Sequence, residues 1–267
     1  MIKTQRIIKY ISIGFALCLT INIISMIMFG IISICNIFID NNEVNNELEN
    51  QEIIKQVEFI EIDIENSNIF IKQGEEFKTE TNDKDILIKE DANKLIIIEE
   101  NKKWLNKENT DLIIYIPLEY RFKEVLIENG AGKVHIDALQ TDDLEIDLGV
   151  GDIVIENLTV TKSANIDNGV GDITISNGNV YWLDTDIGIG HTSITASIHA
   201  NAEISTGIGD FEFNLLEDQE NYKIIVDAGI SKATLNGKKI KKGTYYGDGP
   251  NLIDISGGIG NIKVNTN

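Results

Sequence analysis

Two kinds of hydrophobic patterning divide the chain. Ile11 to Ile39 is a run of 29 residues without a charge, 18 of them Ile, Leu, Met or Phe. A bilayer core of about 30 Å needs roughly 20 apolar residues in a helix, so this run predicts a transmembrane helix with length to spare for tilt. Each Ile, Leu or Phe favours insertion by roughly 0.3–0.6 kcal/mol, which together outweighs the polar Asn22 and Asn36. After a polar stretch over 40–56, the period changes to two from Val57 onward. Ile60, Ile62 and Ile64 alternate with Glu61, Asp63 and Glu65, and Ile69 and Ile71 follow a turn at 66–68. Further alternating segments at 86–89, 95–99, 112–117 and 124–128 predict half-buried strands. Beyond residue 56 no segment carries a 3.6-residue period, so the expected fold class is all-β.

The flanks of the apolar run orient it. Lys3, Arg6 and Lys9 precede it, while Asp40, Glu43, Glu47 and Glu49 follow. The positive-inside rule predicts a cytoplasmic tail at 1–10, a signal anchor at 11–39 and an extracytoplasmic remainder at 40–267 on the cell membrane. A cleaved signal peptide would need a shorter apolar core and a small-x-small site, and Cys18 and Cys35 lack the small residue that precedes a lipoprotein cysteine. Residues 40–56, rich in Asn and Glu, read as a solvated stalk.

A repeat organises the rest. GAGKVHI at 130, GVGDIVI at 149, GVGDITI at 169, GIGHTSI at 188, GIGDFEF at 207, GISKATL at 229 and GIGNIKV at 258 recur at spacings of 19, 20, 19, 19, 22 and 29 residues. A period near 20 with fixed glycines predicts a β-solenoid of stacked coils over 129–267, preceded by a β region over 57–128 that caps or extends it. Gly130, Gly132, Gly149, Gly151, Gly169, Gly171, Gly188, Gly190, Gly207, Gly209, Gly229, Gly258 and Gly260 are the expected structural corners. Inward positions are expected at Leu144, Ile146 and Leu148, at Ile153 and Ile155, and at their counterparts in other coils. The residue between the two glycines (Ala131, Val150, Val170, Ile189, Ile208, Ile230, Ile259) is also expected to point inward.

Charge narrows the function. Against 23 Lys+Arg stand 43 Asp+Glu, a net −20; without the three cytoplasmic cations the exported part carries −23. Such a surface repels phosphate, so nucleic acid is not an expected partner. Both cysteines lie in the apolar run, which leaves the exported part without a thiol nucleophile or a disulfide.

The candidate chemistry is sparse. G-x-G followed by a strand lacks the helix N-terminus a dinucleotide site requires. Asp152, Asp172 and Asp210 share one repeat position and are the candidates for a Ca²⁺ ladder, with turn capping the preferred alternative because Lys133, His191, Ser231 and Asn261 hold that position elsewhere. His135, His191 and His199 show no paired ligand spacing. No catalytic constellation is expected, and no cofactor. The basic, Tyr-bearing insertion NGKKIKKGTYYGDG stands out in an acidic chain, either as a docking loop for an anionic polymer or as a solvated loop.

The stretch DLIIYIPLEYRFKEVLIENGAGKVHI, the GVGDI repeats and the closing NLIDISGGIGNIKV resemble the bacterial putative-adhesin, β-strand-repeat family known as domain of unknown function 4097. The resemblance covers residues 57–267 and implies a β-solenoid at the cell surface or envelope with no assigned catalytic residues. The leading expectation is a membrane-anchored, non-catalytic binding or scaffold module whose partner is an envelope polymer or a membrane protein. A sensor accessory that captures cationic peptides or ions is the alternative. A polysaccharide-active enzyme, which would need paired carboxylates in a groove, is the third.

Overall fold

Alternating Ile, Val and Leu from residue 57 onward leave one side of each segment apolar, and parallel stacking of short strands is how the chain buries that side. In the computed structural model, the structure describes residues 49–52, 56–100, 110–230 and 232–267. They belong to one compact unit. Apart from a single 3-10 turn at Gln219–Asn221, the regular elements described are strands of one sheet system. Among the described residues no helix is long and apolar enough to cross a membrane. The predicted span 11–39 and the tail 1–10 lie outside them.

The strands form nine rungs, each made of one segment before a corner and one after it. In stacking order, rung 1 is Lys94–Glu99 with Asp111–Pro117, and rung 2 is Phe59–Asn66 with Asn68–Gly74. Rung 3 is Arg121–Ala131 with 134–141. Rung 4 is 143–150 with 153–160, and rung 5 is 163–170 with 173–180. Rung 6 is 182–189 with Thr192–Ile198, and rung 7 is Asn201–Ile208 with Phe211–Leu215. Rung 8 is Asn251–Ile259 with Asn261–Asn265, and rung 9 is Tyr222–Ala228 with Lys232–Leu235. Every neighbouring pair of rungs is parallel.

Stacking order departs from chain order at both ends. Rung 2 precedes rung 1 in sequence yet sits between rungs 1 and 3. Rung 8 is the last rung in sequence yet sits between rungs 7 and 9. Both outer rungs are closed by antiparallel strands: Ile86–Asp91 and Lys78–Thr81 on rung 1, Lys238–Lys239 and Tyr245–Tyr246 on rung 9. An open parallel edge presents a row of unpaired backbone groups, and these strands cover it. Glu49–Glu52, part of the segment read as a solvated stalk, is a strand on Lys78–Thr81.

The core runs through all nine rungs. In rung 4 the buried side chains are Leu144, Ile146, Leu148, Ile153, Ile155, Leu158 and Val160; in rung 5 they include Ala164, Ile166, Ile173, Ile175 and Val180. Strict alternation slips at 155/158 and again at 160/164, where the pairing register shifts, and a third time at the glycine corner. Each slip turns the chain and restores inward pointing.

The residues between the glycines correct the sequence reading. Val150, Val170, Ile189, Ile208, Ile230 and Ile259 are exposed by 44–84%. The corner has rotated the backbone so that the glycines, not the residue between them, face the adjacent rung. A Cβ on Gly151 would lie 1.7 Å from the carbonyl oxygen of Gly132, and one on Gly149 would lie 2.5 Å from that of Gly130. Backbone touches backbone there. Gly151 has φ +142° and Gly171 +141°, a conformation L side chains rarely adopt.

Candidate binding surface

Because register is kept from rung to rung, equivalent outward residues form columns about 4.8 Å apart per step. One column consists of Asp63, Glu128, Asp147, Asp167 and Asp186 on rungs 2 to 6. It continues as Ser205, Ser256 and Asp227. A parallel column two residues earlier in each strand carries Glu145, Asp184, Glu203 and Asp254. Like charges directly opposite on neighbouring strands are destabilising, so this face stores electrostatic repulsion. Its imprint is visible at Asp167, whose carboxyl is raised above the ordinary range by burial first and then by the charges of Asp186, Asp147 and Asp184; a hydrogen bond from the Asp186 N–H, 3.2 Å, pulls the other way.

Beyond the acidic columns lies the bare strip of glycine backbone, and beyond that the exposed aliphatic ridge. Val150 pairs with Val170, Val170 with Ile189, Ile189 with Ile208 and Ile208 with Ile259, one per rung. Val150 lies three positions after Asp147, about 10 Å of strand. The Asp147 column thus runs beside the aliphatic ridge on rungs 4 to 6, and Glu203 and Asp254 of the second column continue beside it on rungs 7 and 8. Asn168, buried under the corner, donates its Nδ2 to the Gly151 carbonyl at 3.1 Å and ties one rung's corner to the next.

Asp152, Asp172 and Asp210 occupy the next corner position, and each carboxylate reaches along the stack. Asp152 Oδ1 accepts from the Asp172 N–H at 3.1 Å, and Asp172 Oδ1 accepts from the His191 N–H at 2.7 Å. Asp210 Oδ1 accepts from both the backbone N–H and the side-chain amide of Asn261, at 2.7 and 3.0 Å. Asn68 does the same for Lys133. Lys133 and His191 hold the same position on rungs 3 and 6. His191 and His199 lie on different rungs from His135. Spacing alone gave no sign that His135 would meet Asp137 and Glu156, as it does across rungs 3 and 4.

The basic insertion packs against rung 9. Lys223 Nζ sits 4.3 Å from the centre of the Tyr245 ring, the Lys241 N–H donates to the Tyr246 hydroxyl at 2.7 Å, and Lys242 Nζ donates to the Gly229 carbonyl at 2.7 Å. Its two strands cover the last parallel edge.

A model of the Toastrack DUF4097 family matches residues 57–248. The chain belongs to the Toastrack DUF4097 family. The family match spans rungs 1 to 7 and 9 and stops short of rung 8. No curated protein matches the chain. Among solved structures, a "putative adhesin" from Bacteroides fragilis is 20% identical, with 84% of this chain and 100% of that chain covered and a TM-score of 0.47. A "putative cell adhesion protein" from Clostridium sporogenes is 16% identical, covering 83% and 99%, TM-score 0.36. A "putative lipid binding protein" from Parabacteroides distasonis is 12% identical, covering 81% and 97%, TM-score 0.44.

Proposed function

We propose that this Toastrack DUF4097 protein is a non-catalytic binding or scaffold module of the cell envelope. It is anchored by residues 11–39, with residues 1–10 in the cytoplasm and residues 40–267 outside. Its partner is cationic and amphipathic, a segment of an envelope polymer or of a membrane protein. The observation that carries this reading is a run of carboxylates (Asp147, Asp167 and Asp186, then Glu203 and Asp254 of the neighbouring column) beside a run of exposed aliphatic residues (Val150, Val170, Ile189, Ile208, Ile259) on rungs 4 to 8. A surface that keeps like charges stacked against local stability suits a partner that neutralises them. The adjacent ridge adds apolar area that only an amphipathic partner would cover.

Cross-linking of the full-length protein in living cells tests this. Capture of a cationic partner by the native chain, and its loss in the Asp147→Asn/Asp167→Asn/Asp186→Asn variant, is the expected result. Capture unaffected by that variant overturns the assignment of the surface. A membrane kinase or transporter as the captured species gives the module a sensory role, and wall polymer or a neighbouring cell's protein gives it an adhesive one.

A further inference from the structure

On the outer face of rungs 3 and 4, on the segments that follow the glycine corners, His135 and Asp137 stand two residues apart on one strand and therefore point the same way. Ile155 pairs with Ile136 and Asn157 with Ala138, which sets Glu156 opposite Asp137 on the next rung. Two carboxylates directly opposed repel. His135 Nε2 lies 3.1 Å from Asp137 Oδ1 and 3.8 Å from Glu156 Oε1, and the three ligand atoms all fall within 4.8 Å of one another. Among the described residues this is the one group of three metal-ligating side chains so disposed.

We propose that His135, Asp137 and Glu156 form a binding site for a divalent transition-metal ion of the Zn²⁺ class. Tetrahedral bonds of about 2.0–2.1 Å place neighbouring ligand atoms roughly 3.3–3.4 Å apart, between the two distances to His135. One imidazole and two carboxylates balance the ion's double charge, and the nitrogen donor selects a borderline metal over Ca²⁺ or Mg²⁺. The scaffold is held from both sides. The His135 ring lies beside Phe70 of rung 2, centroids 6.3 Å apart, and Asn157 Nδ2 donates to the Asp137 carbonyl at 3.1 Å. Lys72, which follows Ile71 on rung 2, holds its ammonium over the Phe70 ring at 5.2 Å. Glu156 is the most exposed ligand and closes the site, leaving a fourth position to water.

Full-length protein, purified in detergent and stripped with chelator, is titrated with ZnCl₂ by calorimetry and with CoCl₂ by visible absorption. One ion per chain is expected, with an intense tetrahedral cobalt spectrum that CaCl₂ does not displace. His135→Ala and Glu156→Gln should each weaken Zn²⁺ at least as much as the roughly 10–100-fold typical of an outer-shell change. The corner variant Asp152→Asn and the double variant His191→Ala/His199→Ala should bind as the native chain does. Equal affinity in His135→Ala overturns the site, as does weak, non-saturating binding that Ca²⁺ abolishes, which would be cation condensation on the acidic face.

Discussion

Ile208 pairs with Ile259, 51 residues further along, while Ile230 lies one rung beyond Ile259 and two beyond Ile208. The C-terminal rung is therefore inserted between two rungs that the chain makes earlier. Ser205 and Ser256 report this directly, with their hydroxyl oxygens 3.4 Å apart. We expect the Ser205→Cys/Ser256→Cys pair to form a disulfide under mild oxidant, since neighbouring parallel strands meet the Cα separation such a bond requires. Ser205→Cys with Asp227→Cys, two rungs apart, should stay reduced. Non-reducing peptide mapping distinguishes the two, and cross-linking of the second pair alone would mean that rungs follow chain order.

Glycine at the second corner position is required for two separable reasons. Gly151→Ala meets both an unfavourable φ and a carbonyl oxygen at 1.7 Å, and should destabilise the chain by about 3 kcal/mol or more. Gly237→Ala meets an unfavourable φ of +72° but has nothing within 4 Å, and should cost about 1 kcal/mol. Denaturant unfolding of both variants tests the close approach apart from backbone strain.

Ile187 and Ile189 stand two positions apart with opposite fates. Ile187 is 2% exposed and Ile189 50%. Ile187→Ala should cost about 2–5 kcal/mol. The double change Ile189→Ser/Ile208→Ser should stay within about 0.5 kcal/mol per site of the native chain and reduce capture of the amphipathic partner. A large loss of stability on changing Ile189 would put the ridge in the core.

Arg121 and Thr161 clamp Asp142 from the rungs on either side. The hydrogen bond from the Arg121 guanidinium, then that from the Thr161 hydroxyl at 2.8 Å, holds its carboxyl down to about 2. The folded state thus binds this proton less readily than the unfolded chain, whose carboxyl titrates near 3.9. Its contribution to stability is present above that value and lost as pH falls toward about 2. Carboxyl NMR should find Asp142 ionised at pH 3 (roughly one unit above its folded value), and Arg121→Ala should return it toward the ordinary range.

Asp167 has the opposite sign. Its raised carboxyl makes the ionised form a cost to the folded chain at neutral pH, relieved as pH falls through its folded value. Asp167→Asn keeps the acceptor for the Asp186 N–H and should stabilise by a few tenths, about 0.5 kcal/mol at most, because solvent screens this largely accessible group. The gain should vanish in acid. A loss of stability at neutral pH would mean that the hydrogen bond outweighs the repulsion.

Much of this was legible in the chain. Alternation at Ile60, Ile62 and Ile64 and at Ile153 and Ile155 dictated strands with one buried side, because side chains on a strand have a period of two. The G-x-G spacing dictated rungs of about 20 residues with corners at glycine, and the charge balance dictated an acidic surface. Local physics fixes such features. The outward ridge was not legible, because alternation cannot be counted across a positive-φ residue, and only the packing of Gly151 on Gly132 decides that Val150 faces away. Nor could any pattern show that rung 8 lies between rungs 7 and 9, or that His135 and Asp137 meet Glu156. Those contacts depend on which equivalent surfaces stack, and near-identical repeats offer the same apolar face to several partners. Covering the end rungs with antiparallel strands, and tucking both chain-terminal rungs one layer in, is a choice that only the assembled core could make.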